Sequence, residues 1–349
     1  MTSVDAAILT ATIIDAPTEV AVSTDHLLYV GIDEAGYGPL LGPLCVGMCA
    51  VRVPSTQFTP LAPNLWSVLS GGVCRKGNDR RRRVAIDDSK KLKRQDESPL
   101  RLLERGVLAA LSSNPSFAIP LDDAAYFHAV GAELPHVDDA PWYQHALPLP
   151  SNIELPDVRI AANLLRRALA KAHCSIAALR VTTLDASPFN QLYERLGNKG
   201  ALNMSLVMTQ LEAARELAQG ARVIAAIDRQ GGRAEYAHAL QSKFPHDSVL
   251  VIKEDDDLST YRIEGAQGKL DVAFATRSED RHLPTALASM AAKYTRELAM
   301  RRMNAWFLAR QPGLEPTAGY VEDGRRFLAQ VQPTLVLERV PERTFVRMA

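Results

Sequence analysis

The stretch Gly31-Ile32-Asp33-Glu34-Ala35-Gly36-Tyr37-Gly38-Pro39-Leu40-Leu41-Gly42-Pro43 sets two adjacent carboxylates at the end of a short apolar run and follows them with a turn rich in Gly and Pro. The run from Leu27 to Ile32 is of strand type, and Leu44 to Val53 reads as a second strand, so a buried hairpin is expected. Adjacent carboxylates repel, and folding them together is unfavourable unless a cation sits beside them. The glycines expose main-chain N–H and C=O groups and let a ligand approach closely. An Asp-Glu pair by itself is most often an ordinary solvated turn, whereas the whole string is far more specific.

The surrounding composition is that of a folded protein. The chain has 349 residues with 47% hydrophobic residues, and its 40 Lys+Arg balance 40 Asp+Glu. Disorder as the main state and a uniformly basic protein are both excluded, while a local basic face remains enough to meet phosphates. Cys45, Cys49, Cys74 and Cys174 are too few and scattered for a disulfide framework, and none forms a CxxC pair. The apolar patch Ala6 to Leu9 is flanked by Asp5 and Asp15 without a basic segment before it, and no apolar run reaches the length of a membrane span. A soluble cytoplasmic protein without a membrane partner is expected, with a monomer as its simplest state.

Outward from the opening string, residues 1–25 lack clear periodicity and read as an N-terminal extension. The remaining 26–349 are expected as a single domain with insertions near 54–83 and 112–156, the first holding the basic run Arg80-Arg81-Arg82-Arg83. Ser98-Pro99 has the form of a helix start, and Leu100, Leu103, Val107 and Leu111 follow at helical spacing. Further helices are expected over 158–172, 201–218, 233–244 and 284–310 and after Tyr320, with strands over 176–184, 223–227, 248–252 and 270–276. Two early strands followed by alternating helices and strands predict an α/β layered fold with a mixed sheet.

Four further strings carry potential chemistry. Asp87-Asp88-Ser89-Lys90-Lys91-Leu92 could hold a phosphate with its lysines, although taken alone it reads as a solvated basic face. Asp228 is the first polar residue after the apolar strand Val223 to Ile227, and strand C-termini in α/β sheets are where ligands bind. Glu279-Asp280 stands between a strand and the helix containing Ala288-Ser289 and Ala292-Lys293. Gly319-Tyr320 offers a stacking or hydroxyl contact from a loop.

Together these strings, in this order over about residues 27 to 330, resemble ribonuclease HII, the type 2 ribonuclease H family. The resemblance implies a ribonuclease H-like fold, with a mixed central sheet flanked by helices. It also implies a metal-dependent endoribonuclease that cuts the RNA strand of RNA–DNA hybrids, or ribonucleotides embedded in a DNA duplex, leaving 5′-phosphate and 3′-hydroxyl ends. Two divalent ions, Mg²⁺ or Mn²⁺, would be held by four carboxylates. Asp33, Glu34 and Asp228 match three of them. For the fourth, Asp280 keeps the family's distance to Pro284 and is taken as the match, with Glu279, which fits the onward spacing without a gap, in reserve.

Hard divalent cations favour oxygen ligands, and two of them can activate a water and stabilise the leaving 3′-oxygen together. By the same resemblance Gly36, Tyr37, Gly38 and Tyr320 read the ribose 2′-hydroxyl, and Ser89, Lys90 and Lys91 lie near phosphates. Tyr37 stands where the family usually has Arg, Arg229 where it commonly has Gly, Ala318 where it has Lys, Glu297 where it has Asp and Arg325 where it has His. These departures leave the carboxylates intact while altering the substrate-reading residues. They motivate two alternatives: a nucleic-acid-binding relative without turnover, and a ribonuclease H-like nuclease with a changed substrate.

Overall fold

The structure, a computed structural model, describes residues 26–57, 62–93, 98–115, 117–231 and 233–348. The extension expected over 1–25 lies outside the described residues. Strand β1 (His26–Ala35) and strand β2 (Leu44–Pro54) form the expected antiparallel hairpin, with Asp33 opposite Gly47. The chain then adds β3 (Val73–Cys74), β4 (Val84–Ala85), β5 (Ser175–Leu184), β6 (Val223–Asp228), β7 (Ser248–Glu254), β8 (Leu258–Gly265) and β9 (Gly268–Ala275). Seven of these make one mixed sheet in the order β5-β2-β1-β6-β9-β8-β7, in which β1, β6 and β9 are parallel neighbours. The helices are α1 (Leu65–Val68), α2 (Ser89–Leu92), α3 (Arg101–Leu111), α4 (Asp123–Ala129), α5 (Leu155–Lys171), α6 (Ala186–Leu196), α7 (Lys199–Ala218), α8 (Ala237–Lys243), α9 (Leu283–Arg310), α10 (Val321–Leu337) and α11 (Glu342–Phe345).

Successive strand residues face opposite sides of a sheet, and β1 is buried on both. Leu28, Val30 and Ile32 pack with Leu202, Val207 and Leu211 of α7. Leu27 and Tyr29 join the other core, with Leu103 and Val107 of α3, Leu165 of α5 and Leu287 of α9. Gly31 lies on this second face, where a Cβ would meet the Thr285 nitrogen at 2.0 Å. The absence of a side chain there is what lets α9 lie directly against the strand that carries Asp33. The Thr285 hydroxyl reinforces the contact by donating to the Ala226 carbonyl at 2.9 Å.

Three expectations are revised. Helix α3 begins at Arg101 rather than at Ser98: no side chain caps it, and burial of Leu100 fixes its entry. Helices α1, α2, α4, α6 and α11 and strands β3, β4 and β8 are additions to the expected elements. Pro188 reads as a breaker but sits in the first turn of α6, where no intrahelical N–H is lost, and Asp185 accepts the Ala186 N–H at 2.8 Å. In β8 only Ser259, Tyr261 and Ile263 are buried, so intervening Thr and Arg dilute its pattern. The 233–244 helix shortens to Ala237–Lys243.

The segment over 112–156, expected as an insertion, packs into the core. Trp142 packs with Trp306 and Phe307 of α9, and Asp123 accepts from the Arg302 guanidinium at 2.8 Å, both partners being buried. Among the described residues, no helix is long and apolar enough to cross a membrane.

Candidate active site

Parallel strands end on the same side of a sheet. Ile32 of β1 pairs with Ile227 of β6, and Asp228 pairs with Ala275 of β9. Asp33 and Asp228 therefore leave neighbouring strands at one edge, and the 3-10 turn Ser278–Asp280 follows β9 at that edge. Three chain segments far apart in sequence thus deliver carboxylates to the C-terminal ends of the central strands, where open α/β sheets bind ligands.

Strand alternation sends Asp33 and Glu34 to opposite sides. Asp33 faces α9, where the neighbouring Ser289 hydroxyl, which donates to the Ser89 hydroxyl at 3.0 Å, works against the rise in the Asp33 pKa. The Asp33 carboxylate accepts the Glu34 N–H at 2.8 Å. Burial, followed by the charges of Glu34 and Asp228, pushes the Asp33 carboxyl well above the usual carboxylate range. Glu34 faces α7: Gln230 donates to it at 3.0 Å, and Asn203 of α7 donates to the Gln230 side-chain carbonyl. Burial raises Glu34 as well, against these amides and the nearby Lys90.

The third strand brings both fourth-carboxylate candidates, and they meet different surroundings. Asp228 accepts the Ser278 N–H at 3.0 Å, and burial raises its pKa, with the Glu34 charge adding to the rise. Glu279 is pushed up to about 7 by burial and by the charge of Asp228, and its Oε2 is buried without a hydrogen-bond partner. Asp280 turns to cations instead. It is ion-paired with Lys91 and with Arg277 at 2.6 Å, and the Lys91 hydrogen bond holds it below its ordinary value. The side chain that shares the field of Asp228 is Glu279, the reserve of the sequence reading. Asp280 is a neutralised neighbour.

The Gly-rich turn is fastened to the Tyr320 loop. Gly36 has φ +87°, and a Cβ on it would meet the Pro43 carbonyl oxygen at 2.6 Å, so the turn needs glycine there. Gly38 has open space and no such requirement. Leu40 and Leu41 donate their N–H groups to the Gly319 carbonyl at 2.7 and 3.1 Å. Buried Arg296 of α9 ties the two loops from beneath, donating to the carbonyls of Leu41 at 3.0 Å and Ala318 at 3.1 Å. Tyr37 and Tyr320 stand on this platform 37% and 52% exposed, free to contact a ligand. Ser89 and the exposed Lys90 and Lys91 reach the carboxylates from α2 through Ser289, Glu34 and Asp280 respectively.

Sequence reading missed Asn203, Gln230 and Arg296 because a lone amide or Arg within a helix or loop carries no local signal. Only the weak hydrophobic asymmetry of α7 and α9, both buried nearly all round, hints that polar residues in them have inward roles. Arg229 turns away from the carboxylates, donating to the Asp255 carbonyl at 3.0 Å and to that of Asp256. An open cleft of about 360 Å³ lined by Asp228, Arg229, Asp256, Thr276 and Arg277 leads to this edge. Among the described residues, no group of three or more His, Cys, Asp or Glu side chains stands ready to hold a metal ion, so the carboxylates are neighbours rather than a closed cage.

No protein-family model matches this chain, and no curated protein matches its sequence. Among solved structures, it is similar to RNase HII from Archaeoglobus fulgidus, solved in complex with PCNA, with 16% identity over 92% of this chain and 94% of that one and a TM-score of 0.39. Ribonuclease H2 from Pyrococcus horikoshii OT3 matches with 11% identity over 92% of each chain and a TM-score of 0.38. Bst-RNase HIII in complex with Mn²⁺ matches with 16% identity over 94% of this chain and 68% of that one, with a TM-score of 0.37.

Proposed function

We propose that this chain is a metal-dependent endoribonuclease of the type 2 ribonuclease H kind. It hydrolyses the RNA strand of RNA–DNA hybrids, or the backbone at ribonucleotides embedded in a DNA duplex, leaving 5′-phosphate and 3′-hydroxyl ends. The observation that carries this reading is the delivery of Asp33, Asp228 and Glu279, with Glu34, to one edge by three adjacent parallel strands.

The residues fit divalent cations. All four donors are hard oxygens, burial and then the charge of a neighbouring carboxylate raise three of the carboxylates, and the Glu279 Oε2 is buried without a hydrogen-bond partner. Asp33, Glu34, Asp228 and Glu279 would hold two Mg²⁺ or Mn²⁺ ions, which when bound lower the pKa of the attacking water and offset charge on the leaving oxygen. Closing the set takes side-chain rotation, and a cation turns the mutual repulsion into shared attraction.

The chain's own groups account for the rest. Ser289 and the Asn203–Gln230 amide pair support the side chains of Asp33 and Glu34 from opposite faces of β1. Main-chain groups of the Gly36–Gly38 turn, with Tyr37 and Tyr320, would contact the ribose carrying the 2′-hydroxyl. Lys90 and Lys91 would meet the phosphates. The test is to present an all-DNA duplex and the same duplex with one ribonucleotide, with Mg²⁺ or Mn²⁺, and to map the ends formed. Cleavage confined to the ribonucleotide strand with a 5′-phosphate product supports the reading. Equal cutting of both duplexes, or no cutting of the ribonucleotide-containing duplex and none of a continuous RNA–DNA hybrid, sinks it.

A further inference from the structure

The basic run Arg80 to Arg83 takes no part in the carboxylate site, yet it belongs to a built surface. Strands β3 and β4 pair in parallel, and their four buried residues anchor the loop between them to the core. The loop borders a groove of about 500 Å³ whose charged lining consists of Arg75, Lys76, Arg80, Arg81 and Arg83 against the single carboxylate Asp79. Arg83 and Asp79 satisfy each other in a two-pronged bridge, at 3.1 Å from Nε and 2.8 Å from Nη2, and so serve the loop's shape. Lys76, Arg80 and Arg81 are exposed and have no acidic partner among the described residues.

Arg75 links this groove to the candidate active site. Its guanidinium lies 3.9 Å over the Trp66 ring, and it donates to the main-chain carbonyl of Asp280, in the same turn as Glu279. A stacked guanidinium is held in place and keeps donors for a planar anion. The remaining cations, Lys76, Arg80 and Arg81, are exposed along the lining of the same open groove, which sets several like charges beside one ligand and suits a ligand with repeated negative charges.

We propose that this groove binds the sugar–phosphate backbone of the duplex outside the scissile position, on the side of the Glu279 turn. The inference rests on the nuclease reading for the identity of its ligand, and the groove can be tested without turnover. The full-length protein and the Lys76→Ala/Arg80→Ala/Arg81→Ala variant are titrated with a labelled ribonucleotide-containing duplex in EDTA at several salt concentrations. The slope of log K against log salt should fall in magnitude by about 0.9 for each phosphate that the variant no longer neutralises, about 2 to 3 in all. Arg81→Ala alone, which alters one exposed side chain, should lower it by about 1, and Arg80→Lys/Arg81→Lys should retain it.

In cleavage assays with metal, KM for a long duplex should rise by about tenfold or more with kcat unchanged, and a short duplex centred on the ribonucleotide should show no difference. An unchanged slope in both alanine variants overturns the proposal, even where cleavage proceeds normally. If the wild type cuts nothing, the nuclease reading fails separately, and the metal-free slope still decides the groove.

Discussion

Burial, followed by the charges of Glu34 and Asp228, raises the Asp33 carboxyl above the usual carboxylate range. A carboxylate kept for structure would lose stability on amidation, whereas one kept for chemistry against mutual repulsion would not. Asp33→Asn should therefore lower cleavage by at least about a thousandfold, since the metal-held charges supply several kcal/mol at about 1.4 kcal/mol per tenfold. Its thermal midpoint without metal should equal or exceed that of the wild type, as a melting scan will show. The two candidates in the 3-10 turn separate in the same way. Glu279→Gln should cost about a hundredfold or more in kcat, and Asp280→Asn less than about tenfold, because Lys91 and Arg277 already neutralise Asp280.

That distinction marks how far single residues are legible in the chain. Asp33, Glu34 and Asp228 stand out because each ends an apolar run. Glu279 and Asp280 are adjacent acids in one short turn, and only the fold reveals which of them faces Asp228 and which faces Lys91. Arg296 is invisible in the sequence for a related reason: its partners, Leu41 and Ala318, are more than two hundred and about twenty positions away.

Among the elements, β1, β2 and β6 are legible as continuous apolar runs, and α9 as a long helix-forming stretch with Pro284 at its start. β8 and α6 are not, since Thr and Arg interrupt one and Pro188 the other, and tertiary burial outweighs those local signals. The turn after β1 and the loop before α10 act as one platform through Arg296. Arg296→Met keeps most of the volume and removes both donors, so KM for the ribonucleotide duplex should rise by about tenfold. The metal-induced rise in melting temperature should persist, because the carboxylates are supported from Ser289 and Gln230 instead. Gly36→Ala forces a Cβ against the Pro43 carbonyl and should destabilise the protein by about 1–3 kcal/mol, read as a lower melting midpoint.

For the molecule as a whole, the mixed α/β class follows from the order of elements, and the sheet bears it out with β1, β6 and β9 at its centre. The segment over 112–156 is weakly periodic in sequence, yet Ala140, Trp142 and Tyr143 from it join a third core with Trp306 and Phe307. Long-range aromatic contacts of that kind leave no trace in local spacing. If the sheet edge binds cations only when folded, Mg²⁺ or Mn²⁺ at about a hundred times its Kd should stabilise the protein by about 2.7 kcal/mol. EDTA should reverse the effect, and Asp33→Asn should abolish it in a thermal scan.

The decisive measurement is cleavage by wild type and Asp33→Asn of two labelled duplexes, a DNA duplex with one ribonucleotide and a continuous RNA–DNA hybrid, across a titration of Mg²⁺ or Mn²⁺. Expected is metal-dependent cutting of at least one duplex by the wild type and its loss in the variant, with the ratio between duplexes reporting how Tyr37 and Tyr320 read the ribose. Binding without cutting at any metal concentration, or cutting that survives Asp33→Asn, would contradict a carboxylate-centred nuclease.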